Sequence, residues 1–119
     1  ALKQKLKIVG ICCGMWTINA FFGGNLKWNE KHNGRKYNPI HRCKVIGLLK
    51  RRNIKVNSFH RKVIDKLGKG LTPFILAYDN SVEGFYNLDK RIMAIQFHLE
   101  NKGCSAGLAD EFMKQVIKL

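Results

Sequence analysis

The chain has 119 residues and a mass of 13.7 kDa. Surface scaling leaves roughly 6,600 Å² exposed of about 19,900 Å² in the extended chain, which suffices for one domain and excludes two ordinary ones. Hydrophobic residues at 45% and charged residues at 25% exclude a long disordered tail, and 22 Lys and Arg against 8 Asp and Glu give a net charge of +14 that biases encounters toward anions.

From Leu6 to Ile11 the chain reads LKIVGI, a β-branched run that suits a buried strand. From Gly14 to Phe22, Met15, Ile18 and Phe22 fall at helical spacing, so a strand turns into a helix at Cys12-Cys13, and Gly23-Gly24 stops that helix. Asn25 to Asn53 lacks steady periodicity. It carries Lys27, Lys31, Arg35, Lys36, Arg42, Lys44, Lys50, Arg51 and Arg52 against Glu30, and reads as a basic loop with one short strand around Val45 to Leu49. Ile54 to Phe59 and Pro73 to Tyr78 are expected strands, with Arg61 to Leu67 a short helix stopped by Gly68. Asp79-Asn80-Ser81 signals a turn into further strands at Val82 to Tyr86 and Arg91 to Phe97. Ser105 to Leu119 places Leu108, Phe112, Met113, Val116 and Ile117 on one helical face. The expected architecture is an α/β sheet layer covered by helices, in one domain spanning residues 1–119.

No apolar run approaches the ~20 residues of a membrane span. The basic N-terminus, Ala1 to Lys7, leads into two cysteines rather than a cleavage site, so the expected location is the cytoplasm, with no membrane partner. Cys12, Cys13, Cys43 and Cys104 lack the paired spacing of a zinc site or a disulfide framework and read as reduced thiols, one of them a candidate for reactivity.

Gly10-Ile11-Cys12-Cys13-Gly14 has the form G-x-C-x-G at a strand-to-helix turn, the thiol counterpart of a nucleophile elbow. Glycines two residues either side are expected because side chains there would collide in so sharp a turn. The helix N-terminus behind Cys12 favours a thiolate, and the N–H groups at Cys13 and Gly14 are placed to receive an oxyanion. The same pattern also fits a buried structural cysteine. In Gln96-Phe97-His98-Leu99-Glu100, residues two apart on an extended chain share a face, so Glu100 can hold the ring of His98 while His98 takes a proton from Cys12.

GICCGM followed by INAFFGGNL, then VNSFH (Val56 to His60), LGKGL, AYDNSVEGFY and IMAIQFHLE resemble, in order, the signature blocks of class I glutamine amidotransferases, particularly the γ-glutamyl hydrolase-like branch. The resemblance runs from about Lys7 to Glu100. It implies a flavodoxin-like α/β fold, a Cys-His-Glu triad at Cys12, His98 and Glu100, and a substrate pocket lined by Ser58 and His60. Cys13 and Trp16 stand where Arg and Gln are common in the family, Phe97 and Leu99 where Trp and Pro are, and Arg61-Lys62 follow His60. Family members carry several strands and a glycine-containing oxyanion loop before the elbow, whereas here Cys12 is the twelfth residue, so the expectation is a fold lacking its N-terminal strands, as a C-terminal portion or a shortened relative.

The implied chemistry is hydrolysis of a γ-glutamyl amide through a γ-glutamyl thioester on Cys12, with no metal or organic cofactor. The basic stretch Lys27 to Lys55 would suit an anionic leaving group, or is simply solvated. A synthase, an N-terminal-half partner and self-association into an oligomer are the partners this reading leaves open. Two further classes stand beside it: a catalytically incomplete interaction subunit, and a basic nucleic-acid-binding module. The last is disfavoured because Trp28, Tyr37 and Phe59 are not interleaved with basic residues in a base-stacking pattern.

Overall fold

The computed structural model describes residues 6–32, 40–58, 60–100 and 103–119. Of the residues used above, the N-terminal segment before Leu6 and Arg35, Lys36, Tyr37 and Phe59 lie outside the described residues. In chain order the elements are β1 (Ile8–Ile11), α1 (Cys13–Phe21), β2 (Asn25–Trp28), a 3₁₀ turn (Glu30–His32), β3 (Ile40–Val45), β4 (Asn53–Asn57), β5 (Lys62–Lys66), β6 (Thr72–Ala77), β7 (Val82–Asn87), β8 (Ile92–Ile95) and α2 (Leu108–Lys118).

Six strands form one mixed sheet in the order β1-β8-β7-β6-β3-β4, and β2 pairs with β5 in a separate antiparallel ribbon. Among the described residues, only β1 and β8 run parallel, with Ile8 opposite Ile92 and Ile11 opposite Ile95; the other pairs in this sheet are antiparallel. The fold is therefore α/β with a mixed sheet. Strand β8 shows how the layers arise, because its side chains alternate between faces. Met93 and Ile95 join a core with Val56, Phe74, Phe97, Leu108 and Phe112 under α2, whereas Ile92 and Ala94 join Met15, Ile64, Leu71 and Phe85 under α1 and the β2-β5 ribbon. With apolar residues on both faces, IMAI is buried throughout, which is why it reads as a continuous apolar run rather than an alternating one.

Three expectations are corrected. Lys62–Lys66 is a strand rather than a helix: the adjacent β-branched Val63 and Ile64 are both buried, and they pair with Lys27 and Leu26 of β2. Gly68 does not end a helix. A Cβ there would lie 2.7 Å from Phe22 Cβ and 2.9 Å from the Asn19 carbonyl oxygen, so the glycine permits close packing on the end of α1. The stretch read as a basic loop contains β2, the 3₁₀ turn and β3, and most of Val45 to Leu49 forms the bend after β3 rather than a strand. On α2, Leu108 and Phe112 are buried and Val116 packs against the core, but Met113 and Ile117 are exposed, because the helix touches the sheet along a narrower stripe than its apolar pattern suggests. Among the described residues, no helix is long and apolar enough to cross a membrane.

Candidate active site

Cys12 sits between β1 and α1 with φ 55° and ψ −110°, a conformation that costs a non-glycine residue about 1–3 kcal/mol. Its N–H donates to the Ile95 carbonyl at 2.9 Å, so the parallel β1-β8 ladder holds the turn in place. Gly10 is required: a Cβ there would lie 2.6 Å from Ile18 Cδ1 and 2.9 Å from the carbonyl carbon of Gly14. Gly14 is not, since a Cβ would meet nothing within 4 Å, and the expected steric need for glycine on that side is corrected. Cys13 and Gly14 open α1, where the first-turn N–H groups have no acceptor one helical turn back.

His98 and Glu100 meet, with His98 Nδ1 donating to Glu100 Oε1 at 2.6 Å. They do so across a turn rather than along an extended strand, because β8 ends at Ile95. Glu100 is held below the usual carboxylate range by its own backbone N–H and by His98. The position of His98 is set by Asn57 at the end of β4: Asn57 Nδ2 donates to the His98 carbonyl at 2.7 Å, and the His98 N–H donates to Asn57 Oδ1 at 3.0 Å. Sequence reasoning passed over Asn57, although it stands inside the VNSFH block.

Cys12 and His98 line one small cavity of about 40 Å³ together with Asn57, His60, Gln96 and Phe97. Gln96 Nε2 donates to Cys12 Sγ at 3.6 Å, and Trp16 Nε1 donates to Gln96 Oε1 at 2.6 Å. Burial pushes the Cys12 thiol above its ordinary value and Cys13 adds to this; the Cys13 backbone N–H and Gln96 pull the other way without reversing it. Burial thus works against the thiolate that the helix N-terminus favours.

Of the two residues expected to line the pocket, His60 does and Ser58 turns away: the Ser58 hydroxyl is buried and donates to the His32 carbonyl at 2.6 Å. The basic residues gather elsewhere. Lys44, Lys50, Arg51 and Arg52 line a wider cleft of about 520 Å³ at the tip of the β3-β4 hairpin, which also touches Asn53. Asn53 begins β4 and Asn57 ends it, so the rise of a strand puts about 13 Å between the basic cleft and the cysteine cavity. Arg51 is moreover engaged by Glu111 of α2 at 2.8 Å.

A cysteine on a strained strand-to-helix turn, facing a cavity shared with a carboxylate-bound histidine, invites comparison with known proteins. A glutamine amidotransferase-like protein of Lactococcus lactis subsp. lactis is 33% identical over 115 residues, covering 84% of this chain and 48% of its own length. The gamma-glutamyl-CDP-amidate hydrolase of Campylobacter jejuni subsp. jejuni is 32% identical over 101 residues, covering 85% of this chain and 46% of its own length. The crystal structure of a glutamine amidotransferase from Thermotoga maritima superposes with a TM-score of 0.68 at 17% identity, over 98% of this chain and 49% of that one. The chain thus spans about half the length of the curated relatives it matches. The Peptidase C26 model matches residues 1–100, the stretch that carries the elbow, the VNSFH block and the His98–Glu100 pair, and on that match the chain belongs to the Peptidase C26 family of class I glutamine amidotransferase-like proteins.

Proposed function

We propose that this chain carries the nucleophile, base and orienting acid of a γ-glutamyl amide hydrolase. The observation that carries the reading is the placement of Cys12, at φ 55°, on the same small cavity as His98, whose Nδ1 is bound to Glu100. In this mechanism His98 takes the Cys12 proton on Nε2 as sulfur attacks the γ-carbonyl carbon. The N–H groups of Cys13 and Gly14 receive the resulting oxyanion, and the N–H of Cys12 does not, being engaged by Ile95. The imidazolium then protonates the leaving amine, a γ-glutamyl thioester remains on Cys12, and His98 activates the water that releases glutamate. Glu100 keeps the Nδ1 proton in place throughout.

The whole activity, its substrate and any synthase or N-terminal-half partner are part of the proposal. The Campylobacter relative's name supports a γ-glutamyl amidate as the substrate class. A second reading, an interaction subunit without turnover, is favoured by the small volume of the cavity at Cys12, about 40 Å³. One experiment separates them: incubate the chain with a γ-glutamyl anilide, quench, and read the intact mass for a glutamyl adduct on Cys12. An adduct absent from Cys12→Ser supports the hydrolase; its absence at all substrate concentrations, with no amine released, favours the interaction subunit.

A further inference from the structure

We propose that His32, His60 and Glu83 bind one divalent transition-metal ion of the zinc type, at a site that adjoins the cysteine cavity through His60 and takes neither Cys12 nor His98 as a ligand. The three come from different segments, the 3₁₀ turn, the residues after β4 and strand β7, and the His60 N–H donates to the His32 carbonyl at 3.2 Å. All are buried, with residual exposures of 0%, 5% and 0%. One ligand atom from each lies within 4.8 Å of the others. The His60 Nε2 to Glu83 Oε2 distance is 3.5 Å, near the ~3.4 Å edge of a tetrahedron with ~2.1 Å bonds. Closing the widest separation to such an edge needs side-chain movements of about 1 Å.

The hydrogen bonds behind the ligands fix which atoms face inward. His60 Nδ1 lies 2.7 Å from the Lys62 carbonyl, which only accepts, so Nδ1 carries the hydrogen and Nε2 of the neutral ring presents a lone pair. His32 Nε2 lies 2.8 Å from Asp79 Oδ2, so by the same logic its Nδ1 presents a lone pair. His60 Nε2 is buried without a hydrogen-bond partner. Two imidazole nitrogens and a carboxylate oxygen thus approach one another, a donor set suited to a cation.

The surroundings match what a bound metal requires. Asp79 behind His32 forms the carboxylate–histidine pair that orients metal-bound imidazoles, and Asp79 is itself held by Asn29 Nδ2 at 2.9 Å and the Ser81 N–H at 3.0 Å. Two imidazoles and one carboxylate suit zinc better than calcium or magnesium, with a fourth position left for water. The ion would staple three segments behind the active cavity, because His60 is also a wall of the pocket containing Cys12. Neither Cys12 nor His98 is a ligand, so this inference and the hydrolase reading stand or fall separately.

The test uses the whole 119-residue chain, stripped with chelator and titrated with Co²⁺, then Zn²⁺, with bound metal counted after dialysis. The expected result is one equivalent per chain, cobalt d–d bands of a nitrogen and oxygen site without a thiolate-to-cobalt charge-transfer band, and displacement by Zn²⁺. His60→Ala and the near-isosteric Glu83→Gln, each confirmed folded by circular dichroism, should bind at least about 100-fold more weakly; loss of the outer partner in Asp79→Asn should cost about 10–100-fold. His98→Ala should bind as the parent does. Absence of stoichiometric binding by the parent chain, a thiolate charge-transfer band, or unchanged affinity in folded Glu83→Gln overturns the proposal.

Discussion

The indole Nε1 of Trp16 donates to Gln96 Oε1 at 2.6 Å, and the amide so oriented turns its Nε2 toward Cys12 Sγ, 3.6 Å away. An amide alone can flip. The indole donates and cannot accept, so it permits only the orientation in which Gln96 offers hydrogens to sulfur. Trp16 thus acts on the nucleophile through Gln96. Trp16→Phe keeps the aromatic wall and loses the donor. In a Cys13→Ser background, the pH midpoint for Cys12 alkylation should rise and kcat/KM should fall about 3–10-fold, as for loss of one hydrogen bond. An unchanged midpoint would reduce Trp16 to packing.

The raised Cys12 thiol sets a direction for its reactivity with pH. At neutral pH the thiolate fraction is smaller than for free cysteine, and it grows as pH rises beyond the ordinary thiol range. Iodoacetamide should therefore label Cys12 more slowly than free cysteine at pH 7, with the two rates converging at alkaline pH. Because the folded group holds its proton more tightly than the unfolded one, its contribution to stability is present below the ordinary thiol value and lost as pH rises above it. Labelling of Cys12 faster than free cysteine at pH 7 would contradict this sign.

The two elbow glycines should respond oppositely to alanine. Gly10→Ala drives a methyl into Ile18 Cδ1 and the backbone of Gly14, and should destabilise by about 1–3 kcal/mol with loss of the turn. Gly14→Ala enters open space on a helix and should be neutral or stabilising by up to about 1 kcal/mol. Urea unfolding midpoints of the two variants distinguish these outcomes.

The Asn57 amide satisfies both backbone groups of His98. Asn57→Leu fills a similar volume and leaves both groups unpaired, which should cost about 1–3 kcal/mol of stability. In an active form, kcat should fall more than KM rises, because the imidazole is misplaced while the substrate contacts remain. Equal stability of Asn57→Leu and the parent in denaturant would show that the clamp is replaced by water.

Much of this was legible in residue types. Strand β1 and the elbow follow from a β-branched run meeting Gly-x-Cys, and the His98–Glu100 pair follows from its spacing, although a turn rather than an extended strand joins the two. The β2-β5 ribbon was not legible, because short strands with polar outer faces depend on what they pair with more than on their own composition. Asn57 and Gln96 act through side-chain amides placed by the ends of β4 and β8, and no local pattern marks such residues. His60 was legible as a pocket residue, but its meeting with His32 and Glu83 was not, because the three come from segments far apart in the chain.

The order of strands in the sheet governs when the chemistry can begin. Among the described strands, the one parallel pair joins β1 to β8, and Cys12 stands 84 residues from the Gln96 amide that faces it. A ribosome therefore delivers the sulfur before the imidazole. Until β8 docks beside β1, the chain holds a thiol with neither base nor amide, and the turn that strains Cys12 lacks the ladder that holds it. Folding slow enough to follow, as long-range pairing tends to be, would let burst-phase acylation serve as a clock for the docking of β8.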